Sequence, residues 1–164
     1  MHAAAMDWVS RFATDQQLAV LDIGGRNING SPRHLFPKAV YRVLDKVAAP
    51  DVDLIEDAAY WKPEAVFQLV LALEVFEHTA DWPEICGTAY KALKPGGRFV
   101  VTCAGPGRLP HSGYDGAAVR PDEFYANVDP DELDGVLEAC GFTEIVIDQV
   151  PTDVRAVAVK PKES

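Results

Sequence analysis

The run Phe67-Gln68-Leu69-Val70-Leu71-Ala72-Leu73 is apolar at every position but one. It is too short for a buried helix and lacks the polar alternation of a half-exposed strand, so it predicts a strand covered on both faces. Such strands lie inside parallel sheets, where crossover helices shield both sides. The rest of the chain must therefore supply flanking strands and helices of an α/β layered domain.

Those elements can be read on either side. Met6, Trp8, Val9 and Phe12 fall on one face of a helix over Ala3–Ala13, which is expected to dock on the sheet edge. A first strand follows at Leu18–Ile23. Ser31-Pro32 reads as an N-cap with proline at the first helical position, opening a helix of a turn or two that Pro37 stops. A second strand covers about Val40–Leu44, and a short third covers Asp53–Asp57. Beyond the central run, a helix over Trp82–Leu93 ends at Lys94-Pro95-Gly96-Gly97, and Arg98–Cys103 is the fifth strand. Ala104–Val119 is rich in glycine and proline and has no periodicity. Asp129-Pro130 opens a helix that runs through Cys140 to a stop at Gly141. Thr143–Asp148 and Val154–Val159 read as an antiparallel pair at the sheet edge, before a charged tail, Lys160–Ser164.

The chemistry concentrates where the first strand breaks into Gly24-Gly25-Arg26-Asn27-Ile28-Asn29-Gly30. Glycines just past a strand let a ligand approach backbone that a Cβ would shield. In open α/β sheets that position, outside the carboxyl end of a strand, is where ligands bind. Asp45 ends the second strand about 20 residues further on, placed to accept hydrogen bonds from a ribose diol. Together these features point to a cofactor that contains a nucleoside.

Composition narrows the partners. At 164 residues the chain is expected to form one domain, 1–164, that buries a core without staples. Its net charge of −10 argues against a broad phosphate-binding surface, and so disfavours nucleic acid. Cys86, Cys103 and Cys140 show neither CxxC nor Cys/His ligand spacing, so no metal is expected and reduced thiols in a cytoplasmic setting are. No apolar run approaches the roughly 18 residues of a membrane span, and no signal peptide is visible. Nothing in the sequence bears on the oligomeric state.

Four segments in order, Leu21-Asp22-Ile23-Gly24-Gly25, Val43-Leu44-Asp45, Leu69 through Glu74-Val75-Phe76-Glu77-His78, and Leu93-Lys94-Pro95-Gly96-Gly97-Arg98-Phe99, resemble class I S-adenosylmethionine-dependent methyltransferases of the small, type 11-like kind. The likeness spans roughly Asp15–Val159. It implies a Rossmann-like three-layer sandwich whose seven-stranded, mostly parallel sheet has an antiparallel last strand. It also implies S-adenosylmethionine as cofactor and S-adenosylhomocysteine as product. Carried over by position, Gly24 and Gly25 line the amino-acid end of the cofactor, and Asp22 steadies the turn and the ammonium. Asp45 takes the ribose hydroxyls, Asp57 with the Ala58 backbone meets the adenine edge, and Leu73-Glu74 pass beneath the sulfonium. Arg26 departs from the pattern, since many relatives carry glycine there. It either pairs the cofactor carboxylate or stands exposed. The incomplete GxGxxG also makes NAD the weaker alternative.

Methyl transfer from a sulfonium needs alignment first, and a base only when the acceptor must lose a proton. His78 and His111 are the candidates for that base. The competing reading of His78 is a packing role beside Trp82. Glu74 and Glu77 are candidates to hold a cationic acceptor, although helix N-terminal charge is the simpler role for Glu77. The segment 104–127 reads as a lid or substrate loop, with Tyr114, Phe124 and Tyr125 as aromatic walls. No Asn/Asp-Pro-Pro-aromatic signature of DNA amino-methylating enzymes follows the fourth strand. The acceptor expected is a small molecule. A non-catalytic cofactor-binding module acting with a partner protein is the alternative.

Overall fold

The computed structural model describes residues 3–162; the extreme ends of the expected N-terminal helix (1–14) and tail (160–164) lie outside it. Seven strands form one sheet: β1 (Ala19–Ile23), β2 (Val40–Asp45), β3 (Leu54–Ile55), β4 (Phe67–Leu73), β5 (Leu93–Ala104), β6 (Thr143–Val150) and β7 (Asp153–Val159). Their spatial order is β3-β2-β1-β4-β5-β7-β6. Neighbours are parallel from β3 through β5, whereas β7 runs antiparallel to both β5 and β6. The last strand is therefore inserted inside the sheet and β6 forms the edge, so only one of the final pair is an edge strand.

Strand β4 lies between β1 and β5, as its unbroken apolar run requires. Its residues alternate between two cores. Leu69, Leu71 and Leu73 face one side with Val20, Val43 and Val100, while Val70 and Ala72 face the other with Leu21, Ile23 and Val101. Phe67 breaks the alternation and packs with Val70. A register shift between Phe67 and Leu69 explains this, because one extra residue turns every side chain before it to the opposite face.

Helices α2 (Trp82–Ala92) and α3 (Pro130–Cys140) cover the Val70 face through Ile85, Cys86, Ala89, Leu133 and Leu137. Helix α3 forms where its local signals place it: the Asp129 side chain accepts the Asp131 amide at 2.9 Å, Pro130 takes the first turn, and Gly141 ends it in the left-handed conformation. The opposite face is closed differently. The crossover between β1 and β2 contains only a 3-10 turn, Pro32–Leu35, capped by the Ser31 hydroxyl, and is too short to shield the sheet. Helix α1 (Ala3–Val9) and a following 3-10 turn bring Trp8, Val9 and Phe12 against Val20, Val43, Leu71 and Val100 instead. The N-terminal helix thus covers the middle of the sheet rather than docking at its edge.

Two further boundaries differ from the sequence reading. β5 begins at Leu93, before the Pro95-Gly96 break, because Leu93 pairs with Phe67 and the residues between bulge out to meet Lys160. Lys160 is also no free tail: its ammonium donates to the carbonyls of Tyr90 at 2.9 Å and Leu93 at 2.7 Å, closing the carboxyl end of α2. No helix among the described residues is long and apolar enough to cross a membrane.

Candidate functional site

A cavity of about 1110 Å³ opens at the carboxyl ends of β1, β2 and β4, slightly above the usual size range of small-molecule sites. Three loops leaving those strands build its floor. From the β1 side come Asp22, Gly24, Gly25 and Arg26, from β2 and β3 come Asp45, Asp57 and Ala58, and from β4 come Leu73, Glu74 and His78; His111 closes over from the segment after β5. The expected cofactor residues and both histidines therefore reach this one cavity, whereas Glu77 and Tyr125 do not line it.

The turn after β1 is held tightly. The Gly24 amide donates to the Leu44 carbonyl at 2.7 Å and its φ of +67° lies in the left-handed region. A Cβ there would come within 2.5 Å of a Val75 methyl, and one on Gly25 within 2.4 Å of the Asp22 carboxyl. Backbone and neighbour both call for glycine at Gly24, and the Asp22 carboxyl alone calls for it at Gly25. Asp22 is buried, and the Tyr41 hydroxyl donates to its Oδ2 at 2.6 Å. Burial pushes its pKa up to about 7 even though the Tyr41 hydrogen bond pulls it down. The same burial and the adjacent carboxylate push the Tyr41 hydroxyl upward.

Asp45 stands on the rim with Oδ1 accepting the Val47 amide at 2.8 Å, so one oxygen secures the turn. Asp57 accepts the Ala59 amide in the same manner at 3.0 Å. Arg26 is not exposed as one of its two readings would have it. It lies on the cavity wall, its guanidinium carbon 5.9 Å from the Tyr114 ring centre, and its buried Nε has no hydrogen-bond partner. Glu74 adopts φ +59°, a left-handed conformation uncommon for a side chain with a Cβ, while its amide donates to the Thr102 carbonyl at 2.7 Å.

The other end of the cavity carries the imidazoles. A 3-10 turn, Phe76–His78, follows β4 and sends successive side chains to different places. Phe76 turns into the core and stacks on Trp82 at 5.5 Å. His78 instead meets His111 edge-on at 5.1 Å and Tyr125 at 5.5 Å, and Tyr125 also touches His111 at 5.1 Å. Burial and the neighbouring His111 lower the His78 pKa to about 4, which keeps its ring neutral. Glu77 departs most from expectation. It is fully buried rather than lying as solvated charge at a helix start, and neither of its oxygens makes a hydrogen bond of ordinary geometry. Burial and the nearby Glu74 charge raise its pKa well above the carboxylate range, against a weaker pull from backbone amides and Arg108. Glu77 Oε1 lies 3.9 Å from His111 Nε2.

The segment 105–129 carries no helix or strand, yet it is organised around Glu123. Glu123 accepts from the Ser112 hydroxyl, the Gly113 amide and the Arg120 amide at 2.8–3.0 Å, which pins the loop that presents His111 and Tyr114. Tyr114 and Phe124 line the cavity and Tyr125 stands behind the histidines. Arg108 pairs with Asp153 and lies 4.0 Å from Glu74. Neither Tyr41 nor Arg108 stood out in the sequence. Tyr41 occupies an inward position of β2 beside a predicted site aspartate, and that was the only available signal.

The model of a family described as a methyltransferase domain matches residues 1–146. No curated protein matches the chain. Among solved structures it is similar to Haemonchus contortus phosphoethanolamine N-methyltransferase 2 in complex with S-adenosyl-L-methionine (16% identity, TM-score 0.70, 97% of this chain and 52% of that one). A second is Burkholderia thailandensis 1,6-didemethyltoxoflavin-N1-methyltransferase, with 1,6-didemethyltoxoflavin and S-adenosylhomocysteine bound (21% identity, TM-score 0.70, 97% of this chain and 79% of that one). A third is an S-adenosylmethionine-dependent methyltransferase from Mesorhizobium loti (16% identity, TM-score 0.70, 96% of this chain and 99% of that one). This chain spans about half the length of the first of these structures. At such identities the likeness shows a shared fold.

Proposed function

The chain belongs to the methyltransferase-domain family, and on that premise we propose that it binds S-adenosylmethionine in the cavity above β1, β2 and β4 and transfers its methyl group to a small-molecule acceptor. One observation carries the reading: Gly24 and Asp45, at the tips of neighbouring parallel strands, line the same cavity with Asp57 and Ala58 beside them. The donor set suits the cofactor. The second oxygen of Asp45 serves the ribose, Ala58 and Asp57 the adenine edge, and the acidic Asp22 side the ammonium. The unpartnered Arg26 Nε suits a carboxylate, through a charge-assisted bond worth roughly 1.5–3 kcal/mol when shielded from water.

When bound, the sulfonium supplies a methyl group already activated for displacement. The protein's task is then to hold an acceptor in line and keep water out. Glu74 and Leu73 form the wall between the two ends of the cavity, and His78 and His111 meet the acceptor. The segment 104–127 acts as the loop that closes over it. Two solved relatives carry small molecules in their names, phosphoethanolamine and 1,6-didemethyltoxoflavin, which supports an acceptor of that class. A non-catalytic binding module is not favoured, because the family and these relatives are named as methyltransferases.

Calorimetry with S-adenosylmethionine, S-adenosylhomocysteine and NAD tests the ligand class. The two sulfur ligands should bind and NAD should not; a preference for NAD overturns the proposal. Transfer of labelled methyl to a panel of small acceptors then tests turnover.

A further inference from the structure

Beside the acceptor end of the cavity, lone pairs of two neighbouring residues lack hydrogen bonds of ordinary geometry. Both Glu77 carboxylate oxygens and His78 Nδ1 are buried without hydrogen-bond partners. His111 Nε2 approaches Glu77 Oε1 at 3.9 Å, beyond hydrogen-bonding reach. One ligand atom from each of the three residues lies within 4.8 Å of the others. A fully buried carboxylate costs several kcal/mol unless it is paired or coordinates a metal. No lysine or arginine makes an ion pair of ordinary length with it among the described residues, and Arg108 is engaged by Asp153.

We propose that Glu77, His78 and His111 form a divalent metal site, selective for first-row transition ions, that binds an oxygen of the methyl acceptor. The class of ion follows from the donors: two imidazoles with one carboxylate suit ions such as Mn²⁺, Co²⁺ or Zn²⁺, whereas Mg²⁺ and Ca²⁺ call for oxygen ligands. Metal–ligand bonds of roughly 2.0–2.2 Å hold neighbouring donors about 3–3.5 Å apart. The present separations therefore need a contraction of about 1 Å, which the His111 loop and rotation of the two rings can supply. Tyr125 braces both imidazoles from the side away from the cavity lining. Three protein ligands leave coordination positions open toward the cavity, as in sites that bind a substrate oxygen.

The second half of the proposal rests on the methyltransferase reading. An acceptor hydroxyl bound to the ion loses its proton to water more readily than a free one. Its oxygen then forms a bond to the methyl carbon as the methyl–sulfur bond breaks, the electron pair staying on sulfur. This makes the acceptor an oxygen nucleophile, and it assigns the two histidines as ligands rather than as the proton acceptor.

The test titrates the full chain, stripped with a chelator, with Co²⁺ and follows visible absorption. One equivalent should bind with a coordination spectrum, Zn²⁺ should displace it, and Mg²⁺ should not. His111→Ala, on a partly exposed loop, should fold and lose at least about tenfold in Co²⁺ affinity. Glu77→Gln should lose as much where it folds. A silent Co²⁺ titration of the wild type, or binding unchanged in His111→Ala, overturns the site. Calorimetry with S-adenosylhomocysteine on the stripped protein keeps the two ideas apart. Retained binding beside a silent Co²⁺ titration removes the metal site alone, while Co²⁺ uptake without S-adenosylhomocysteine binding removes the cofactor reading alone.

Discussion

Replacing Asp22 by Asn isolates the energetic consequence of burying an acid beneath the glycine turn. The carboxyl pKa rises from its ordinary 3.8 to about 7, mainly through burial, with the Tyr41 hydrogen bond opposing the rise. Between those values the folded chain holds a proton that the unfolded chain has released, so stability falls as pH rises through that window. At ~1.36 kcal/mol per pH decade, the penalty is roughly 1.5 kcal/mol at about pH 5 and roughly 4 kcal/mol above pH 7. Asparagine matches the shape and still accepts from the Tyr41 hydroxyl, but it cannot ionise. The variant should therefore gain roughly 2–3 kcal/mol relative to the wild type between about pH 5 and pH 8. Urea titrations of both proteins across that range measure the difference. Glu77, also raised, titrates in both proteins and cancels from the comparison. A stability difference that stays constant with pH refutes the reasoning.

Asp45→Ala should weaken S-adenosylhomocysteine binding by roughly 1–3 kcal/mol in calorimetry, the cost of leaving a buried polar partner unsatisfied. Gly24→Ala meets both the left-handed backbone and the Val75 methyl at 2.5 Å, so a loss of about 1–3 kcal/mol is expected in thermal unfolding. Leu71→Ala, in the fully buried middle of β4, should cost about 2–5 kcal/mol by urea denaturation. Lys160→Met removes the ammonium from the Tyr90 and Leu93 carbonyls and should cost about 1 kcal/mol in the same assay.

Much of the fold was legible because its signals are local. The apolar run of β4 predicted an interior position in the sheet and its own limits, Phe67–Leu73, while its neighbours β1 and β5 came from the structure. The Asp129 cap, Pro130 and Gly141 placed α3 to the residue. Boundaries slipped where pairing overrode turn chemistry, as at Leu93, which joins β5 although Pro95 and Gly96 follow it. Of the cavity, the members at strand tips could be read because a strand's end and a glycine turn mark them directly. His78 and His111 were legible only as separate candidates, since they come from different loops and meet through the Glu123-pinned segment.

By itself the sequence determined a layered α/β chain, its strands, and a ligand turn at Gly24 with an acid at Asp45, because periodicity and turn chemistry act between near neighbours. The stacking of those layers alone decided that α1 shields the middle of the sheet, that Tyr41 holds Asp22, and that Glu77 is sealed beside two imidazoles. Burial belongs to the assembled layers, and the same Glu-His dipeptide on an open helix start would remain solvated charge.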